Sequence, residues 1–255
     1  MKTLQSYLER ALQSLVTFAR KRKKDRMEKK VGLAKSWKSE KIYLEKHFYE
    51  LCGRPVHKYI YGKLGRLGAA NSIYEFGAST GFNLFLVEKN YSQFNELVGF
   101  DIDSIAVDLG NEIAKKNQSK VKLETTDVLK RINELKDGCV DIVLSQGFLV
   151  TMQDEEIKRL LDNFVRIARV GVMLIERNTF NDYDIITARD DINTFDFEGY
   201  LKGDPIFANR FSIEKIPNMR LLNANIDINS IIFIHCSEKY FEPRLSLLSR
   251  DDFAS

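Results

Sequence analysis

Several things that would mark a specialised chain are scarce or missing in this sequence. It has 3 cysteines in 255 residues, Cys52, Cys139 and Cys236, with no Cys-x-x-Cys pair among them. That excludes a disulfide framework and a thiolate zinc cluster, and suits a reducing compartment. The 3 histidines are equally scattered. Cys52 and His57 lie close together, but two ligands do not make a zinc site, and no metal is expected. No uncharged apolar run is long enough to cross a bilayer. Lys2, Glu9 and Arg10 place charge where the apolar stretch of a signal peptide would begin. The expectation is a cytoplasmic protein, with peripheral attachment at the inner membrane face left open. A net charge of +3 is too small to argue for nucleic acid as a general partner.

What is present is the composition of a soluble domain, 44% hydrophobic and 29% charged, enough to bury one sizeable core. Two textures divide the chain. Residues 1–69 read as a helical extension. Leu4, Leu8, Leu12, Leu15 and Phe18 recur at helical spacing. They run into the densest charge cluster, Arg20-Lys21-Arg22-Lys23-Lys24-Asp25-Arg26. A solvated helix face, an anionic membrane surface and nucleic acid phosphates are the three readings of that arm, in descending order. In the first of these the helix packs on the main domain or on another copy of the chain, as in a homo-oligomer.

Residues 70–255 alternate short apolar runs with helical patterns. Strands are expected at Ile73–Phe76, Glu96–Asp101, Val121–Glu124, Val140–Ser145 and Gly171–Glu176. Helices fall between them at Phe82–Lys89, Ser104–Lys116, near Leu129–Leu135 and at Asp154–Ala168. Such alternation builds βαβ units and a parallel sheet covered on both faces. After residue 180 the rhythm loosens into a polar stretch. Phe211–Ile216 and Ser230–His235 then read as two closing strands, one of them inserted antiparallel.

The informative segment is Glu75-Phe76-Gly77-Ala78-Ser79-Thr80-Gly81. Gly77 suits a tight turn in which backbone approaches a ligand closely, and the helix N-terminus that follows aims amides at it. Two glycines four apart are a weak signal, because packing alone also selects them. The next two strand ends strengthen it: Asp101 can accept the hydroxyls of a ribose, and Asp127 stands beside apolar Val128. Glu75 decides the charge. A carboxylate beside a diphosphate is repulsive, whereas beside a cationic cofactor it is favourable.

The turn resembles motif I of class I S-adenosylmethionine-dependent methyltransferases, Glu/Asp-x-Gly-x-Gly-x-Gly, with Ser79 in place of the middle glycine. Gly99-Phe100-Asp101-Ile102-Asp103 resembles the second motif, and Asp141–Leu149 resembles motif IV of the small-molecule branch. The likeness covers residues 70–178 well and 205–240 loosely. It implies a Rossmann-like, seven-stranded, mostly parallel sheet and S-adenosylmethionine as cofactor. Glu75, Gly77, Ala78, Gly81, Asp101, Ile102, Asp127, Val128 and Gln146 would hold it, with Asp101 on the ribose and Ile102 against the adenine.

The acceptor side falls to Phe148, Glu176 and Arg177, which follow the fourth and fifth strands. Glu176 suits a general base and Arg177 an anionic substrate group, while an ion pair or turn cap explains them equally well. His57 and Tyr61 would reach the pocket only if the extension covers it. Methyl transfer from a sulfonium needs alignment more than a strong catalytic group, and no catalytic residue declares itself.

The Asn-Pro-Pro-Tyr run of base and amide methylases is absent. That counts against a nucleic-acid base, and the resemblance implies oxygen or nitrogen of a small molecule as the acceptor. The Gly-Phe-Asn-Leu run after the turn is similar to bacterial enzymes that decorate surface glycans, which would make a sugar or glycan precursor the acceptor. An RNA or protein methyltransferase, or an inactive binding subunit of this fold, are the alternatives.

Overall fold

The structure is a computed structural model that describes residues 62–65, 67, 70–176, 195–215, 220–221, 226–227 and 230–236. The basic arm, His57, Tyr61 and Arg177 lie outside the described residues.

The first five strands alternate with helices along the chain. They are β1 (Ser72–Phe76), α1 (Phe82–Asn90), β2 (Glu96–Asp101), α2 (Ser104–Lys116), β3 (Val121–Thr125), α3 (Val128–Glu134), β4 (Val140–Gln146), α4 (Asp154–Ile167) and β5 (Ala168–Glu176). Then come α5 (Phe197–Gly203), β6 (Phe211–Lys215), a small hairpin of β7 (Arg220–Leu221) and β8 (Ile226–Asp227), and β9 (Ser230–His235). The main sheet has seven strands in the order β3-β2-β1-β4-β5-β9-β6. Strands β1 to β5 pair in parallel. Only β9 runs against its neighbours, β5 on one side and β6 on the other. The expected Rossmann-like sheet with one inserted antiparallel strand is therefore the observed one.

Parallel strands buried on both faces leave no room for polar alternation. Strand β1 puts Ile73 into one core with Leu84 and Val87 of α1, Val107 of α2, and Ile142, Leu144 and Met173. Phe76 enters the opposite core with Ile132, Leu160, Phe164 and Leu201 from α3, α4 and α5. There its ring lies 5.1 Å from Phe100 and 4.9 Å from Phe164.

Helix starts follow local chemistry. The Asp103 carboxylate accepts the Ile105 N–H at 3.1 Å to begin α2, and Asp127 accepts from Leu129 at 2.9 Å to begin α3. At α4, Glu156 accepts the Gln153 N–H at 3.1 Å.

Two departures from the expected elements have a clear physical reason. Strand β5 begins at Ala168, where α4 ends, not at Gly171. Helix passes into strand without a loop, so no turn residue marks the border. Helix α5 was hidden in the polar stretch by its seven-residue length and its two glycines. Phe197 and Leu201 hold it down, with Phe195 and Phe197 rings 4.9 Å apart.

The strand order reverses between β1 and β4. Ligands in open α/β sheets bind outside the carboxyl ends of the strands at such a reversal. The segments that leave β1 and β4 are Gly77–Gly81 and Gly147–Thr151.

Candidate cofactor site

The β1–α1 turn has left-handed backbone at three alternating places: Gly77 (φ 74°), Ser79 (φ 49°) and Gly81 (φ 73°). These are the three glycine places of the motif named above. Ser79 keeps the conformation without being glycine, at a steric cost of roughly 1 kcal/mol. Hydrogen bonds hold it there. Gly77 and Ala78 donate their N–H groups to Phe100 O at 2.9 and 3.1 Å, and Gly81 donates to Ala78 O at 2.8 Å. The Ser79 N–H reaches Asp101 Oδ2 at 2.7 Å. Four amides of the turn are thus committed to protein acceptors.

Packing accounts for much of the glycine pattern. A side chain at Gly81, Gly99 or Gly110 would overlap Leu123, and at Gly110 it would also meet the Thr80 carbonyl. At Gly77 the space that a Cβ would need is taken by the Phe148 ring. The sequence assigned that space to a ligand; in the structure a protein side chain occupies it.

Glu75 precedes the turn and is 1% exposed. Asn83, equally buried on α1, donates its amide to Oε1 at 2.5 Å. Oε2 is buried with no hydrogen-bond partner among the described residues. Burial pushes the Glu75 carboxyl up to about 8, against the Asn83 hydrogen bond that pulls it down, and the nearby Asp101 carboxylate adds to the rise. An orphaned buried oxygen of this kind is a place for a cation or a donor from outside the chain.

Asp101 ends β2 on the other side of the turn. Its Oδ1 accepts the Asp103 N–H at 2.9 Å, so both oxygens are anchored by backbone. Burial raises its pKa, and those two amides oppose the rise. Ile102 beside it is 37% exposed, one of two exposed large hydrophobic residues among those described. Asp127 is half-buried at the start of α3, whereas Val128 spends its side chain on the core.

At the end of β4, Gln146 and Phe148 are half-buried and flank Gly147, whose φ is 63°. Glu176 ends β5 and is fully buried. Its Oε1 accepts from the Ser145 hydroxyl at 2.9 Å and from the Phe148 and Leu149 N–H groups at 3.1 Å each. Burial pushes it up to about 7, with the Leu149, Ser145 and Phe148 hydrogen bonds opposing. Glu176 thus caps the turn that follows β4.

Asn83 and Ser145 were missed. Their contacts join residues 8 and 31 positions apart, so no local spacing reveals them. Among the described residues no group of three or more His, Cys, Asp or Glu is placed to hold a metal ion. No helix of the described residues is long and apolar enough to cross a membrane.

Residues 73–171, from β1 into β5, match the family model described as "Methyltransferase domain". Over that segment the chain is similar to a methyltransferase domain. Magnesium protoporphyrin IX methyltransferase from Synechocystis PCC 6803, solved with bound S-adenosylmethionine, has the same fold. It is 14% identical with a TM-score of 0.52, over 76% of this chain and 84% of that one. An O-methyltransferase family protein from Burkholderia thailandensis is 12% identical with a TM-score of 0.53, over 71% of this chain and 55% of that one.

WbdD, solved with a kinase inhibitor, is 17% identical with a TM-score of 0.49, over 69% of this chain. This chain spans 39% of WbdD and 55% of the Burkholderia protein. No curated protein matches the sequence.

Proposed function

We propose that this methyltransferase binds S-adenosylmethionine on the β1–α1 turn and passes its methyl group to oxygen or nitrogen of a small molecule. One observation carries the cofactor assignment. A fully buried carboxyl, Glu75, and a half-buried carboxylate, Asp101, flank a turn whose amides at 77, 78, 79 and 81 are already spent. A diphosphate would find those donors spent and the Asp101 carboxylate beside it. An ammonium would meet the unpartnered Oε2 of Glu75.

The residues present fit the whole cofactor. Glu75 would hold the amino group, and Asn83 fixes the carboxylate that does so. Asp101 keeps lone pairs for the ribose hydroxyls, because each oxygen accepts one amide. The exposed Ile102 offers an apolar surface to the adenine, and Asp127 a polar edge. Gly77, Ala78 and Gly81 would supply the backbone contour, and Gln146 would join them from the end of β4.

When bound, the cofactor supplies a methyl group already activated by a sulfonium. The chain's part is then to align the acceptor and keep water out. Phe148 and Gln146, at the end of β4, are placed to do this. The small-molecule acceptor rests on the resemblance of Asp141–Leu149 to motif IV of the small-molecule branch, and a sugar among its candidates on the Gly-Phe-Asn-Leu run after the β1–α1 turn.

Calorimetric titrations with S-adenosylhomocysteine and with NAD test the cofactor. Saturable binding of the first and none of the second is expected. NAD binding without S-adenosylhomocysteine binding overturns the proposal.

A further inference from the structure

Where the chain leaves β4 it must turn sharply and still satisfy its backbone. Gly147 takes a left-handed conformation and donates to Ile175 O at 3.0 Å. Thr151 closes the turn on Phe148 O, through its N–H at 3.0 Å and its hydroxyl at 2.7 Å. The N–H groups of Phe148 and Leu149 go to a side chain instead, Oε1 of Glu176 on the neighbouring strand. Ser145 adds its hydroxyl to the same oxygen.

A carboxylate with no exposed surface is an expensive way to fill a core position. An apolar side chain of equal volume would avoid that cost. What an apolar residue cannot do is collect two backbone amides from a turn. Those amides belong to the residue whose ring lies on Gly77 and to its successor. A line of contact therefore runs from Glu176 through the turn to Phe148, and from Phe148 to the first residue of the cofactor turn.

The geometry points to Glu176 as a positioning residue for methyl transfer. It fixes the turn after β4 so that Phe148 stands against Gly77 as the wall between cofactor and acceptor. This rests on the proposed seat of the cofactor on the β1–α1 turn. Glu176 acts through Phe148: its Oε1 is engaged by three donors beneath the turn, while Oε2 is buried without a hydrogen-bond partner among the described residues.

The test compares full-length wild type, Glu176→Gln and Glu176→Met, each with 4-fluorophenylalanine placed at position 148. Fluorine NMR reports the ring's surroundings, and calorimetry reports affinity for S-adenosylhomocysteine. Wild type should give one resonance displaced from the free amino acid. Glu176→Gln retains an acceptor oxygen and should keep that resonance and an affinity within about threefold. Glu176→Met retains volume without an acceptor. It should move the resonance toward the free value and weaken binding at least tenfold while still melting cooperatively.

A cooperatively melting Glu176→Met with the wild-type resonance and affinity overturns the inference. If Glu176→Met does not fold, Glu176→Asp decides, since it withdraws the carboxylate by one methylene. A displaced resonance supports the role and an unmoved one overturns it. Failure of wild type to bind S-adenosylhomocysteine would sink the cofactor proposal separately, and the resonance at position 148 would still decide the positioning.

Discussion

The carboxylate of Asp101 accepts the backbone N–H of Ser79 at 2.7 Å, tying the end of β2 to the apex of the turn after β1. The contact joins two functions. It pays for a serine in left-handed backbone, and it orients the acid that would hold a ribose.

Because the hydrogen bond uses the Ser79 backbone, Ser79→Gly should keep it. Relief of the positive φ and the added freedom of glycine nearly cancel, so stability should stay within about 1 kcal/mol of wild type. A β-branched residue fits the left-handed region poorly. Ser79→Val should cost about 1–3 kcal/mol. Thermal denaturation of both variants checks this.

Stability should fall as pH rises through the range set by Glu75. Its carboxyl is pushed from an ordinary 4.5 up to about 8 in the folded chain. Between those values the folded state holds a proton that the unfolded state has released, so rising pH favours unfolding. Above about 8 the effect is complete and flat. Glu75→Gln removes it, so the variant should melt above wild type at pH 8.5 and level with it at pH 4. Glu176 adds a slope of the same sign up to about 7 in both proteins. Melting curves over pH 4–9 without cofactor read the difference.

Gly110→Ala should destabilise the chain although it improves helix propensity. Alanine gains roughly 0.8–1 kcal/mol in a helix interior. The new methyl would overlap Leu123 and the Thr80 carbonyl. Backbone cannot rotate away as a side chain can, and overpacking of this kind costs about 1–3 kcal/mol. Denaturant unfolding should show a net loss; a net gain would mean that the turn yields freely.

Asp141 offers a control remote from the cofactor. It sits near the amino end of β4, where Oδ2 accepts the N–H of Asn71 at 2.9 Å and of Ser72 at 3.2 Å, and the Ser72 hydroxyl at 3.0 Å. Arg169 reaches Oδ1 at 2.8 Å. Asp141→Ala leaves these donors without their acceptor and should cost about 2–4 kcal/mol. Arg169→Ala should cost less, about 1 kcal/mol, because its side chain is 49% exposed. Neither should change affinity for S-adenosylhomocysteine below the melting transition.

The sheet was legible because its signals are local. Strand runs such as Glu96–Asp101 and helices such as Ser104–Lys116 carry their patterns within a few residues, and both were placed to the residue. So were the acids at strand ends, since parallel topology brings every such end to one edge. Helix α5 was not, because Phe197 and Leu201 are too few to show a period. The contacts from Asn83 to Glu75 and from Ser145 to Glu176 depend on which elements become neighbours. Gly77 shows the limit most clearly. Its need for glycine was legible, but the group filling the space, Phe148, comes from another strand end.

Calorimetric titration of S-adenosylhomocysteine at pH 7, repeated in buffers of different ionisation enthalpy, tests the central claim most directly. The protonated Glu75 of the free chain should give up its proton when the cofactor's ammonium arrives. Wild type should therefore bind one equivalent with release of nearly one proton. Glu75→Gln should bind at least tenfold more weakly with no proton released, and Asp101→Asn more weakly with the release retained. Wild type that shows no saturable binding, or that binds as tightly without the Glu75 carboxylate, would contradict a cationic cofactor on this turn.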